Sequence, residues 1–442
     1  MKYTFFLLIV LALISNLLAQ SNEFLPLSRY GYGSLSRTYS PFSQGCGHAG
    51  LAYTSPEEYN SMNPASLGFL RFTDAEIGFN VKKKEISNLN NSVQDLSGTL
   101  SYLQIGIPLH NTINEALEHK ERKHKFGLSV GLLPFSSTSY SYLIEDSSSI
   151  GNYLRRLNGS GGLNQFQIGV GYKYKNFAAG MNLGYIFGNL EYDQTFNLSG
   201  VIPAAQDNYV DRYFGSGIST QFSFIYQQFL NQKEITKDKS VKAKALNYSL
   251  LIGLPSRLNM SRYSLHTSVL NLNPVGLIID TLSFQDNDIS KSDIPFKLVG
   301  GISYNNKEKS GIVLDAGLEN WGSAKLFEGN KGELVNDSYF SLGGWIKPDN
   351  TGYGNVLKRS QYRIGGFYEK GYLSLNDESL TNYGVTLGMA TAFNFQRQLC
   401  VVNLGIELGQ SKLQNFITEK YIKLNLGIRI NDSEWFLKRR YN

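Results

Sequence analysis

From about residue 72 to residue 430 the chain alternates between apolar and polar side chains. In NQFQIGVGYKYK (164–175), Phe166, Ile168, Val170, Tyr172 and Tyr174 fall on one side, with Gln165, Gln167, Gly169, Gly171 and Lys173 on the other. A period of two is a strand with one apolar and one polar face. The pattern recurs in 74–82, 213–227, 401–409 and 421–430. Alternation interrupted by turn residues predicts strands at 72–83, 97–108, 125–145, 163–175, 177–197, 211–228, 244–270, 294–304, 310–321, 336–347, 359–369, 381–392, 399–410 and 416–430.

The polar faces separate two architectures. Glu407, Lys423 and Arg429 fall mid-strand, where the dry core of a sandwich would tolerate them poorly without partners. Their faces are expected to be wet, and the opposite aliphatic stripes have about the 9–11 residues a spanning strand needs. The fold class expected is therefore all-β, a transmembrane antiparallel β-barrel of about fourteen strands, an even number as in single-chain bacterial barrels. Aromatics near strand ends, Tyr172, Tyr174, Tyr185, Phe187, Tyr304 and Tyr421, are expected at the interfaces. Composition agrees: 28 Tyr, 26 Phe and 44 Gly among 442 residues, with 18% charged.

The first residues, MKYTFFLLIVLALISNLLAQ, have a single Lys, a short apolar run and a small residue, Ala19, before Gln20. That is a signal-peptide pattern for residues 1–19, and it directs the barrel to the outer membrane of a Gram-negative bacterium. Cys46 and Cys400 are too few for a disulfide framework. One bridge and two free thiols stay equally open.

Short turns at 173–178, 305–310 and 393–398 are expected on the periplasmic side, and 146–162, 198–210 and 271–293 as long outer loops. The periplasmic side is then basic, with Arg122, Lys123, Lys125, Lys233, Lys242 and Lys244, whereas Asp146, Asp207, Asp211, Asp286, Asp288 and Asp293 make the outer side acidic. Basic connections suit phospholipid headgroups, and outer acids suit cation-bridged lipopolysaccharide. Plain solvation that keeps the loops soluble is the favoured reading of these charges.

Residues 20–71 precede the first strand, and 44–70 read QGCGHAGLAYTSPEEYNSMNPASLGFL. Fourteen strands enclose more space than side chains alone fill. A compact segment there, with Gly45, Gly47, Ala49 and Gly50 allowing close approach and Asn63-Pro64 making a turn, would occupy that lumen. The order Gly47-x-Ala49, then Asn60-x-x-Asn63-Pro64-Ala65-x-Leu67, then a first barrel strand, resembles the FadL/TodX family of outer-membrane transporters for long-chain fatty acids and other hydrophobic compounds. The resemblance implies a hatch inside a fourteen-stranded barrel, a hydrophobic small-molecule ligand, and a kink in the third strand that opens a lateral exit. Pro134 in KFGLSVGLLPFSSTSYSYLIED (125–146) has no N–H for the ladder and falls where such a kink would be. A simple bend at the outer rim is the other reading of Pro134.

Enzyme chemistry has little to stand on. Ser264, His266 and Ser268 share a strand face without an evident carboxylate. The five histidines have no ligand spacing, so no metal or cofactor is expected. VKKKE (81–85) is a basic strand end, not a nucleic-acid patch. Residues 431–442 end in EWFLKRRYN, a basic tail with Trp435 and Phe436 suited to docking on other envelope proteins. The organisation expected is 1–19 signal peptide, 20–71 extension and hatch, 72–430 barrel and 431–442 tail. The function expected is passive uptake of hydrophobic molecules such as fatty acids. The alternative is a non-transporting accessory barrel of an outer-membrane protein assembly or secretion complex.

Overall fold

The computed structural model describes residues 23–37, 40–88, 91–110, 115, 122–148, 151–198, 205–238, 241–272, 275–327, 333–349, 355–375, 378–395, 398–413 and 416–432. The expected signal peptide, most of the 111–125 connection and the tail beyond residue 432 lie outside them.

Fourteen antiparallel strands form one closed wall. They are β1 (Thr73–Ser87), β2 (Ser92–Pro108), β3 (His124–Ser137 continuing as Tyr140–Ser148), β4 (Gly151–Tyr174), β5 (Phe177–Leu198), β6 (Ala205–Phe229), β7 (Lys244–Gly253 and Ser256–Leu272) and β8 (Val275–Ile294 and Lys297–Asn306). Then follow β9 (Ser310–Glu319), β10 (Asp337–Ile346), β11 (Gln361–Leu375), β12 (Glu378–Phe395), β13 (Gln398–Leu413) and β14 (Ile417–Asp432). The ring closes where β14 pairs with β1, from Thr418↔Ser87 to Asp432↔Thr73. Closure leaves the membrane-spanning backbone groups no open edge.

Alternation sorts the two faces as expected. Ile168 is 47% exposed and Leu424 50% exposed, among a belt of large apolar side chains on the outside. Gln167, Asn182, Asn403 and Glu407 point inward and are buried. Tyr174, at the end of β4, is on the outside as expected, and Tyr185 and Phe187 are also outside but midway along the long β5 rather than at its end. Tyr421 is an exception: it faces the lumen, where its hydroxyl donates to Glu407 Oε1 at 2.8 Å.

The wall is uneven in height. β4 and β6 have 24 and 25 residues, whereas β9 and β10 have 10 each. At ~3.3 Å per residue that is about 80 Å against about 33 Å. The stretches expected as long outer loops are thus mostly strand. Residues 151–162 continue β4, β5 and β6 run to Leu198 and from Ala205, and β7 and β8 form a hairpin that pairs through to Leu272↔Val275. Polar and Asp-rich sequence concealed this, because above the membrane both faces of a strand meet water and alternation loses its cause.

Candidate functional site: the filled lumen and the interrupted seam

The inner segment, residues 40–70, packs against inward-facing residues of the wall. It starts with a short helix, Pro41–Gly45, capped by Ser40, whose Oγ accepts from Ser43 N at 3.2 Å. Gly45 lies against Gly388 of β12. Gly47 has φ +64° and its N–H donates to Thr386 Oγ1 at 2.6 Å. A Cβ there would come 2.3 Å from Gly366 N, so only glycine fits. Ala49 is buried beside Phe42, Cys46, Val313 and Trp345. The N–H groups of Gly50 and Leu51 both donate to Asp315 Oδ2, at 2.7 and 2.8 Å.

The Asn-Pro-Ala turn is fixed the same way. Asn60 Nδ2 donates to the Gly50 and Tyr53 carbonyls at 2.8 and 3.1 Å. Asn63 caps the 3-10 turn Pro64–Phe69 through Ala65 N, and its Nδ2 donates to Leu51 O and to Ser249 Oγ of β7, both at 2.7 Å. Pro64 takes the first helical position, where its missing N–H costs nothing. Ala65 N also donates to Ser223 Oγ of β6 at 2.9 Å, and Leu67 is buried with Tyr59 and Leu70. All eight residues read as hatch from the sequence are therefore together inside the wall.

Charge pins this segment. Glu58 meets Arg429 at 2.8 Å and Arg363 at 3.9 Å, and its Oε1 accepts from Phe42 N at 3.1 Å. His48 Nε2 lies 3.2 Å from Glu407, which also meets Lys423 at 3.6 Å. Here the expectation of a wet polar face needs correction. Glu407 is 2% exposed and Arg429 5% exposed: Glu58 of the inner segment pairs with Arg429, while Glu407 pairs with Lys423 of β14 and is covered by His48. Cys46 and Cys400 are both buried free thiols.

A second stretch, residues 23–37, forms a strap at the seam between β2 and β3. These strands pair only from Pro108↔Gly127 to Leu103↔Leu132. Two residues on, Pro134 begins a bulge in the β3–β4 ladder, and Ser136 resumes the pairing. Pro134 thus sits at an interruption of the wall, and the strand itself breaks at residues 138–139, between the two parts of β3. The edge of β3 that β2 leaves is bonded by the strap instead. Ser34 and Leu35 pair with Ser137 and Ser136, Ser36 N donates to Phe135 O at 2.9 Å, and Leu25 N donates to Ser139 O at 2.6 Å. On the far side Phe24 N donates to Asp95 Oδ2 of β2 at 2.9 Å, and Glu23 meets Lys82 and Lys84 at 3.0 and 2.8 Å. Arg37 ends the strap among Glu369 at 2.7 Å, Glu319 at 3.3 Å and Asp337.

Above the inner segment the lumen is closed by aromatics. Tyr32 of the strap is fully buried among Trp321, Phe327 and Phe135, with Leu163, Leu190, Leu258 and Met260 from the wall. Trp321 and Phe327 come from the β9–β10 connection, which folds inward. Between strap and wall lies a cavity of about 290 Å³. Leu25, Leu27, Leu35 and Phe135 line one part, and Arg37, Lys82, Glu369 and Glu419 another. Sequence reasoning singled out none of Arg37, Glu58, Tyr32 or Trp321. Glu58 and Arg37 were legible only as unpatterned charges in a segment otherwise poor in them.

The Ser264, His266 and Ser268 face holds no nucleophile pair: His266 stacks on Tyr209, ring centroids 3.7 Å apart. Among the described residues no cluster of ligating side chains could hold a metal.

The fold and the filled lumen are those of a FadL-like β-barrel. Solved structures of that fold include a Pseudomonas aeruginosa FadL homologue (TM-score 0.60, 11% identity, covering 91% of this chain and 99% of the other). They also include the monoaromatic hydrocarbon channel CymD (0.52, 13%, 89% and 97%) and the Ralstonia pickettii toluene transporter TbuX (0.52, 13%, 89% and 98%). These neighbours are channels and transporters rather than enzymes. No curated protein sequence matches. The chain belongs to the BamG family, whose model matches residues 1–442.

Proposed function

We propose that this chain is a closed, non-transporting barrel in the outer membrane of a Gram-negative bacterium, acting as an accessory subunit of an outer-membrane protein assembly or secretion complex. The observation that carries this reading is the double closure of the lumen. The inner segment is held below by the buried Glu58–Arg429 ion pair and by the His48–Glu407 contact, and the Tyr32 cluster packs the lumen above. A cavity of about 290 Å³ is just below the roughly 300–1,000 Å³ range of ligand pockets, and its lining includes the charged Arg37, Lys82, Lys297, Glu319, Asp337 and Glu369. Membership of the BamG family supports the same reading. The aromatic-rimmed outer surface meets outer-membrane lipid and lipopolysaccharide, and the basic tail beyond residue 432 is a docking segment for envelope proteins. The test is native mass spectrometry on protein extracted gently from its own outer membrane. A stoichiometric complex with other envelope proteins, free of acyl-chain adducts, is expected; a lone barrel carrying such adducts would overturn the reading.

A second reading is passive uptake of hydrophobic small molecules, and one observation favours it: the apolar part of the cavity adjoins the seam interrupted at Pro134. In that case residues 44–67 act as the hatch and the strap must leave for a ligand to exit sideways. Pro134→Ala should then lower uptake of a labelled fatty acid at unchanged barrel abundance. Unchanged uptake counts against it.

A further inference from the structure

The taller side of the wall ends in an open sheet edge. Ser261 of β7 pairs with both Phe214 and Ile289, so Ile289 stands level with Phe214, an exposed aromatic near the top of the apolar belt on β6. From Ile289 the strand continues away from the belt to Leu277, about 40 Å along its length. Among the described residues, 275–291 bond only to β7. Just below, Ser292 and Asp293 are bonded to Lys325 and the strand is covered. Beyond that point β9 has ended at Glu319 and nothing described lies alongside.

The protections of this edge are partial: it bulges at Asp286–Asn287, Leu282 and Ile279, but it is long and exposes apolar side chains between the bulges. Natural edge strands are kept short, bulged away, or given Lys or Pro. Here Leu277, Ile278, Ile279, Leu282 and Phe284 are each more than half exposed, clear of the apolar belt. The stretch 275–291 holds Asp280, Asp286 and Asp288, with Lys291 at its lower end and no Arg or Pro. Three aspartates on one edge oppose pairing with a second copy, which would bring like charges together across the ladder. They favour a strand carrying cations.

We infer that residues 275–291 are a docking edge at which an extended, Lys- or Arg-bearing segment of another envelope protein adds as a strand beside β8. Main-chain hydrogen bonds supply the attachment, the aliphatic side chains supply burial, and the aspartates select the partner's charge. The inference deepens the accessory-subunit reading by naming a surface. Its test reads binding at one edge and not complex composition, so each can fail alone.

The probes are three dodecapeptides: one alternating Val and Lys, one alternating Val and Glu, and the Val/Lys peptide N-methylated at alternate residues. Amide hydrogen exchange is followed in the full-length barrel in nanodiscs. With Val/Lys peptide at about ten times its Kd, exchange in 275–291 slows about tenfold. The Val/Glu and N-methylated peptides leave it unchanged. In the Asp280→Lys/Asp286→Lys variant, the Glu peptide becomes the preferred one. Equal protection by N-methylated peptide would mean side-chain adhesion without strand addition, and would overturn the proposal. So would no protection by any peptide, or protection without peptide that grows with protein concentration alongside dimers in native mass spectra.

Discussion

Removing the Arg37 guanidinium should release the strap while leaving the barrel intact. Arg37 is the cation shared by Glu369, Glu319 and Asp337, and it also lies over the Tyr339 ring at 4.2 Å. All four charged side chains are largely covered, with 11% of Arg37's side chain exposed and at most 19% of a partner's. Truncating one member of a buried pair costs about 3–5 kcal/mol, because the other charges are left uncompensated. Lys297 still meets Glu319 at 3.0 Å, so the low end, about 3 kcal/mol, is the better figure for Arg37→Ala. At about 1.4 kcal/mol per decade the detached strap becomes about a hundredfold more populated. The wall does not depend on this contact, since Glu319, Asp337 and Glu369 belong to ladders that pair without it. The assay is amide exchange at Ser34–Ser36, with heat-modified gel mobility as the check on the barrel. Faster exchange at unchanged mobility is expected. Adding Asp337→Asn and Glu369→Gln should recover part of the loss, because those changes remove the stranded charges. Unaltered exchange at Ser34–Ser36 in Arg37→Ala would refute the view that this cluster holds the strap.

Further outcomes follow from the same geometry. Deleting residues 41–66 should raise conductance in planar bilayers only modestly, because the Tyr32 cluster still caps the other end; deleting 23–66 should open a large pore, and equal conductance for the two would contradict double closure. Gly47→Ala forces a left-handed backbone on alanine and a Cβ contact of 2.3 Å, so protease protection of the inner segment should fall by about 1–3 kcal/mol. Burial pushes the Cys46 thiol up to about 12, so it stays protonated below that pH in the folded protein. Iodoacetamide at pH 8 should label Cys46 only after unfolding, and labelling of the native barrel would show that the inner segment opens.

Much of this architecture was legible because lipid on one side and a filled lumen on the other impose a strict period of two. The fourteen strands lie within a few residues of expectation wherever both conditions hold, as in β13 and β14. Above the membrane the condition lapses, and 151–162, 205–210 and 275–293 lost their pattern while keeping their pairing. Within the inner segment the turn residues Asn63 and Pro64 were readable from local chemistry. Its ion pairs were not, since Glu58 meets Arg429 across 371 positions of chain and neither residue carries a local sign of the other. The strap escaped for a related reason: Ser34 and Leu35 make a strand only because β2 has left the edge of β3.

The uneven wall gives the molecule a front and a back in the plane of the membrane. A neighbour arriving from the β9–β10 side meets a rim close to the lipid surface, over which a bulky partner can lean. One arriving from the β4–β6 side meets a standing screen several tens of ångströms tall, at about 3.3 Å per residue beyond the belt. Lateral diffusion brings neighbours from every bearing with equal frequency, yet only some bearings lead to contact with the mouth of the barrel. The chain therefore sorts its surroundings by direction of approach.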